Sequence, residues 1–159
     1  MLNLTVITVG TLKEGYLREA CAEYEKRLSA FCKYEMIVLK ETRLSDAPSD
    51  AEISAALSTE GRQILAAMPS RAYRVALCVE GKQLSSEELA DKLEQIGTSH
   101  GSICLVIGSS YGLSPEVKAA ADLRLSVSRL TFPHQLMRVL LLETLYRSLG
   151  ISKGTKYHK

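Results

Sequence analysis

Between Ser126 and Arg138 the chain runs SVSRLTFPHQLMR, the densest gathering of side chains able to do chemistry. Three hydroxyls (Ser126, Ser128, Thr131) precede a Phe132-Pro133 step, and His134, Gln135 and Arg138 follow it. Proline fixes φ at a helix start, and the first turn of that helix leaves free N–H groups beside the loop. Arg138 lies one helical turn beyond His134, so the two are expected to face one site. Histidine changes charge near neutral pH, and arginine is a permanent cation suited to phosphate or to charge developing in a reaction. The same residues could also simply cap and solvate a helix, and the segment alone leaves both readings open.

Two further segments bear on chemistry. Gly108-Ser109-Ser110-Tyr111-Gly112 lets a backbone approach a bound molecule without side-chain obstruction. It is not G-x-G-x-x-G, and G-x-x-x-x-G-K-[ST] occurs nowhere, so neither familiar phosphate cradle is present. The terminus, Lys153 to Lys159, combines Lys153, Lys156 and Lys159 with Tyr157 and His158, a mix that grips phosphates and stacks on unpaired bases. Short basic ends are more often disordered and idle. Cys21, Cys32, Cys78 and Cys104 form no C-x-x-C, and only Cys104 has a histidine close in sequence (His100), which argues against a metal and fits reduced thiols in a cytoplasmic protein.

The elements that must position these residues follow from periodicity. Residues 2–9, 34–40, 73–79, 102–107 and 123–127 are predicted strands, rich in β-branched and apolar residues. Helices are predicted over 14–31, 51–68 and from Ser85, where Glu88 completes a capping box. Ser114-Pro115-Glu116 opens a short helix, and Pro133 opens a last one that Gly150 should end. Residues 42–50 read as a loop and 80–84 as a turn. Gly61 interrupts the second helix at a cost of about 1 kcal/mol unless something packs close to it. Strands alternating with helices predict one α/β domain over 1–159, a mainly parallel sheet with helices on both faces. Ligands in such sheets sit beyond the carboxyl ends of strands, here Leu77–Gly81, Gly108–Gly112 and Val127–Phe132. The last helix is apolar nearly all round (Leu136, Met137, Val139–Leu142, Leu145, Leu149), so a second copy is expected to cover part of it.

A chain of 159 residues with 46% hydrophobic and 24% charged residues is ordinary for a globular domain. No signal peptide is recognisable, and no apolar run approaches the roughly 18 residues that span a bilayer. The net charge of +2 is unevenly spread. From Arg124 onward, seven basic residues face Glu143 alone, the electrostatic footprint expected of a phosphate-binding surface. A receiver-type signalling domain is disfavoured, because the first strand ends Val9-Gly10-Thr11 without the acids that would hold Mg²⁺.

Taken together and in order, TVGTLKEGYLREACAEYEKRL, EGRQIL, VEGKQLSSEELA, IGSSYGL, LSVSRLTFPHQLMRVLLLETLYR and the terminal KYHK closely resemble the RlmH family, over essentially the whole chain. The resemblance implies a SPOUT methyltransferase with a C-terminal trefoil knot. It implies a homodimer acting on 23S rRNA in the assembled 70S ribosome, where the methyl group of S-adenosylmethionine goes to N3 of a pseudouridine in the helix 69 loop. Matching motifs carry cofactor contacts to Leu77, Gly108, Val127, Ser128, Arg129, Leu130, Thr131 and Phe132, with no metal. Where the family usually reads Ile-Gly-Gly, this chain has Ile107-Gly108-Ser109, which should strain the loop if position 109 needs positive φ.

Methylation of an imide nitrogen removes its proton, which calls for a base or for donors to the developing oxyanion. His134 and His158 are the nearby groups that titrate near neutrality. The expectation is that the tail brings Tyr157 and His158 over the target base, on the partner's cofactor in a dimer, while Arg138 holds phosphate or developing charge. The alternatives are a sister SPOUT methyltransferase acting on tRNA and a non-enzymatic RNA- or ribosome-binding α/β module.

Overall fold

In the computed structural model, which describes residues 1–159, five strands and five helices alternate: β1 (Asn3–Val9), α1 (Gly15–Leu28), β2 (Lys33–Leu39), α2 (Asp50–Ala67), β3 (Tyr73–Gln83), α3 (Ser86–Ser99), β4 (Ser102–Ile107), α4 (Pro115–Ala120), β5 (Leu123–Ser126) and α5 (His134–Ser152). All strand pairs are parallel, in the order β2-β1-β4-β3-β5. Side chains alternate across the sheet, so the buried strands are apolar on both faces. Leu4 and Val6 of β1 with Ile103, Leu105 and Ile107 of β4 pack against Cys21 and Leu28 of α1, Leu93 and Ile96 of α3, and Leu141, Leu142 and Leu145 of α5. Ile7, Val9, Cys104 and Val106 point the other way, onto Ile64 of α2 and Val117 of α4. The α/β class and the helices on both faces are therefore as the pattern predicts.

Helix starts follow side-chain chemistry. Ser85 and Glu88 form the predicted capping box, with Glu88 N–H donating to Ser85 Oγ at 3.0 Å and Ser85 N–H to Glu88 Oε2 at 2.7 Å. A second box at Ser49 and Glu52 opens α2, in the stretch read from sequence as loop.

Three boundaries differ from expectation. β3 does not end at residue 79: it re-pairs with β5 at Lys82 and Gln83. α1 stops at Leu28, and Phe31 N–H caps back on the Leu28 carbonyl. α5 runs through Gly150 to Ser152, and the left-handed residue that ends it is Gly154, at φ 72°. Gly150 serves the tail instead. A Cβ there would stand 2.8 Å from Thr155 Oγ1, whose residue folds back to donate its N–H to the Gly150 carbonyl at 2.9 Å.

Gly61 is explained by close packing. Its missing Cβ would lie 2.3 Å from Ser114 Oγ and 3.1 Å from Ser114 Cβ, so α2 rests directly on the cap of α4. Alanine is worth about 1 kcal/mol more than glycine inside a helix, yet the clash should win. Gly61→Ala is expected to lower stability by about 1–2 kcal/mol in urea denaturation. Adding Ser114→Gly should recover most of that loss.

Candidate active site

The cleft lies at the carboxyl ends of β3, β4 and β5, where three backbones are irregular. β3 pairs with Leu125 of β5 twice, through Leu77 and again through Lys82, so residues 78–81 leave the ladder as an excursion. Such bulges re-aim side chains at the edge of a site. The excursion is pinned at Gly81, where a Cβ would fall 2.8 Å from the backbone of Arg124. It carries Cys78, Val79 and Glu80 to the cleft wall. Burial pushes the Cys78 thiol above its ordinary pKa, so it stays protonated.

Beyond β4, Gly112 N–H donates to the Ser109 carbonyl at 2.9 Å, closing a tight turn. The positive φ falls on Gly112, at 90°, and Ser109 has none. The strain expected of Ser109 is thus absent, because the left-handed residue is three positions further on. Gly108 is the constrained residue, since a Cβ on it would stand 2.1 Å from the Gly112 carbonyl oxygen.

Beyond β5, hydroxyls shape the loop. Ser126 Oγ donates to the Ser128 carbonyl and Leu130 N–H to Ser128 Oγ, each at 3.0 Å. Leu130 is left 71% exposed. Pro133 caps α5 without a side-chain bond, and His134 and Met137 of its first turn complete the cleft.

The enclosed space is about 760 Å³, within the range of small-molecule sites. Leu77, Ile107, Leu125, Val127 and Met137 make much of its lining apolar, while Ser109, Ser128, Thr131 and His134 supply polar groups. Its one lysine, Lys118, is already paired with Glu80 at 2.6 Å. That donor set suits an uncharged heterocycle and sugar better than a polyphosphate. No His, Cys, Asp or Glu cluster could hold a metal ion.

Of the residues singled out from sequence, Leu77, Gly108, Val127, Ser128, Leu130, Thr131, Phe132 and His134 come together in this cleft. Arg129 is exposed and does not line it. Arg138 and His134 do not face one site. Arg138 is 3% exposed and turned inward, donating from Nη2 to the Gly10 carbonyl at 2.8 Å. Burial pushes its pKa below the ordinary arginine value, Cys21, Tyr34 and Glu25 lie nearby, and its Nε has no partner. Gln135 adds a second tie, accepting from Lys13 N–H at 3.3 Å. Together they fasten the β1–α1 connection to the start of α5.

Tyr157 and His158 are ordered against the far half of α5. Tyr157 Oη donates to Glu143 Oε2 at 2.8 Å, and its ring packs edge-on to Tyr146 with the Arg147 guanidinium 4.7 Å from its centroid. The His158 ring nitrogens face Glu87 Oε1 at 2.7 Å and Arg147 at 3.2 Å. Burial raises the Glu143 carboxyl, but the Tyr24 and Tyr157 hydroxyls and Arg147 outweigh it and hold it below the usual range. Glu143 lies about 14 Å along the helix axis from His134, and none of residues 153–159 lines the cleft. Sequence reasoning missed Glu80, Lys118 and the tail's partners Glu87, Glu143 and Arg147. An acid beside a glycine at a strand end was a usable signal for Glu80; nothing local marks Lys118.

A model of the family described as predicted SPOUT methyltransferase matches residues 2–158. Proteins named ribosomal RNA large subunit methyltransferase H are similar over 99% of this chain and 100% of their own length. That of Streptococcus thermophilus (strain CNRZ 1066) is 47% identical and that of Clostridioides difficile (strain 630) 43% identical. Among solved structures, a probable methyltransferase from Bordetella pertussis Tohama I aligns with a TM-score of 0.60 at 16% identity, over 93% of this chain and 95% of that one. A probable methylase family protein from Haemophilus influenzae Rd KW20 aligns with a TM-score of 0.56 at 13% identity, over 99% of this chain and 71% of that one. These two structures share the fold.

Arg138→Ala leaves the Gly10 carbonyl without its partner and should cost about 2 kcal/mol of stability. Amide exchange by mass spectrometry should show the loss concentrated in residues 10–14 and the first turn of α5. Unchanged stability with impaired RNA binding would contradict this positioning role.

Proposed function

The chain belongs to the SPOUT methyltransferase family, and from that premise we propose that it methylates N3 of a pseudouridine in the helix 69 loop of 23S rRNA, on assembled 70S ribosomes in the cytoplasm, as a homodimer. The observation that carries this reading is the cleft. All the residues to which the family resemblance assigns cofactor contacts line it except Arg129. The names of the full-length relatives support ribosomal RNA as the substrate. The trefoil threading of the C-terminal segment belongs to the same proposal, and runs against the ordinary rule that chains do not thread their own loops.

S-adenosylmethionine, when bound, supplies a methyl group on a sulfonium whose departing thioether is neutral. Leu77, Val127 and Phe132 would hold the adenine, and Gly108 admits the backbone close to the nucleoside. Holding the acceptor nitrogen in line with the methyl contributes up to about 7–11 kcal/mol. What remains is the N3 proton. None of residues 153–159 lines the chain's own cleft, so Tyr157 and His158 serve the cleft of the second copy. Half-buried Leu136, Val139 and Leu140 leave an apolar strip on α5 that this second copy would cover. Glu143 holds Tyr157, and Glu87 holds the His158 ring through Nε2, while the Nδ1 lone pair faces the Arg147 guanidinium. Arg147 releases Nδ1 when the target base arrives, and Nδ1 then accepts the proton. His134, at the cleft mouth, donates to the developing oxyanion. Arg138 acts from behind, by fastening the loop after β1. The exposed cations Arg129, Lys153, Lys156 and Lys159 meet the phosphates.

Labelled methyl transfer from S-adenosylmethionine tests this, with 70S ribosomes from a strain lacking the protein, free 23S rRNA and bulk tRNA as acceptors. Label on 70S ribosomes, mapped to the helix 69 loop by nuclease digestion and mass spectrometry, is expected. Label on tRNA alone would move the substrate, and no label with no cofactor binding would leave an RNA-binding module. His158→Ala should slow transfer by about a hundredfold or more, with S-adenosylhomocysteine affinity unchanged.

A further inference from the structure

Glu80 and Lys118 are the only Asp, Glu, Lys or Arg side chains lining the cleft, and the proposed methyl transfer uses neither. Their placement is built. Residues 78–81 leave the β3–β5 ladder together, and Gly81 can follow that path only because it has no side chain to strike Arg124. α4, whose start is capped by Ser114 and seated on Gly61, brings Lys118 across to the excursion. Lys118 Nζ then donates to Glu80 Oε1 at 2.6 Å. The hydrogen bond from Lys118 holds the Glu80 carboxyl below the ordinary carboxylate range, so Glu80 offers acceptors only.

With Oε1 engaged, Oε2 and its lone pairs remain for a ligand. A second ammonium is a poor match, since it would compete with Lys118 for the same charge. A zwitterionic amino-acid end would meet two charges that already neutralise each other at 2.6 Å, and so gains less from either member. A neutral pair of adjacent hydroxyls breaks nothing: each donates to the carboxylate, which Lys118 holds in place. Carboxylates at the carboxyl end of a strand recognise ribose in other α/β sheets by the same chemistry.

We infer that Glu80, held by Lys118, recognises the ribose diol of the adenosine-type cofactor and so sets the specificity of this cleft. Glu80 is the contacting residue and Lys118 the positioning one. This rests on the reading that the cleft takes S-adenosylmethionine.

Calorimetry on the intact protein separates the two. The probes are S-adenosylhomocysteine, which lacks the sulfonium charge, and its 2′,3′-dideoxy analogue, which lacks the diol. Wild type should bind the diol-bearing probe about tenfold or more tightly than the analogue. Glu80→Gln, at a largely exposed side chain that should leave folding intact, should lose that preference by weakening the first probe alone. Lys118→Met should act in the same direction and Lys118→Arg should restore the preference. Glu80→Gln weakening both probes equally, or neither, would overturn the assignment while leaving the cofactor reading standing. Failure of wild type to bind S-adenosylhomocysteine at all would overturn the cofactor reading itself.

Discussion

Backbone touching backbone at the carboxyl end of the sheet is the constraint on which the site depends. Gly108 lies so close to the Gly112 carbonyl, and Gly81 so close to Arg124, that neither position has room for a single methyl group. Gly81 lets β3 close back onto β5 after its excursion, and Gly108 lets the turn after β4 fold tightly. A space of about 760 Å³ lies there, with walls of main chain and of apolar side chains such as Leu77, Ile107 and Met137. Main chain is a good wall for a nucleoside, because its donors and acceptors are fixed by the sheet and do not move when the ligand arrives.

The same economy of position governs α5. Its first turn forms one side of the cleft, its middle is the centre of the larger apolar layer, and its far half carries Glu143 and Arg147, which order the tail. A helix so committed along its length transmits misplacement at one end to the other. Arg138 fits this role: a buried cation donating to the main chain of Gly10 joins the helix to the loop after β1 and leaves the surface without it. The separation of tail and cleft along one rigid helix is also the physical reason to look for the second half of the site in a second copy.

Much of the fold was legible because it is local. Strand and helix alternation, the box at Ser85 and Glu88 and the helix start at Ser114-Pro115 are written in neighbouring residues. The errors share a cause in tertiary contact. Residues 80–84 look like a turn, yet β5 reclaims Lys82 and Gln83 into the sheet. Gly150 looks like a helix end, yet its missing side chain makes room for Thr155. His134 and Arg138 have the spacing of one face, but in so apolar a helix the cation was drawn to an inner carbonyl. The three strand ends singled out for ligands could be named from pattern alone; the Glu80–Lys118 pair could not, because its partners lie far apart in the chain and meet only through the excursion of β3.

A crystal structure of the chain grown with S-adenosylhomocysteine tests the central claim most directly. The account predicts the adenosine between Leu77–Gly81, Gly108–Gly112 and Val127–Pro133. The ligand lying elsewhere, or the cleft remaining empty at saturating ligand, would contradict it.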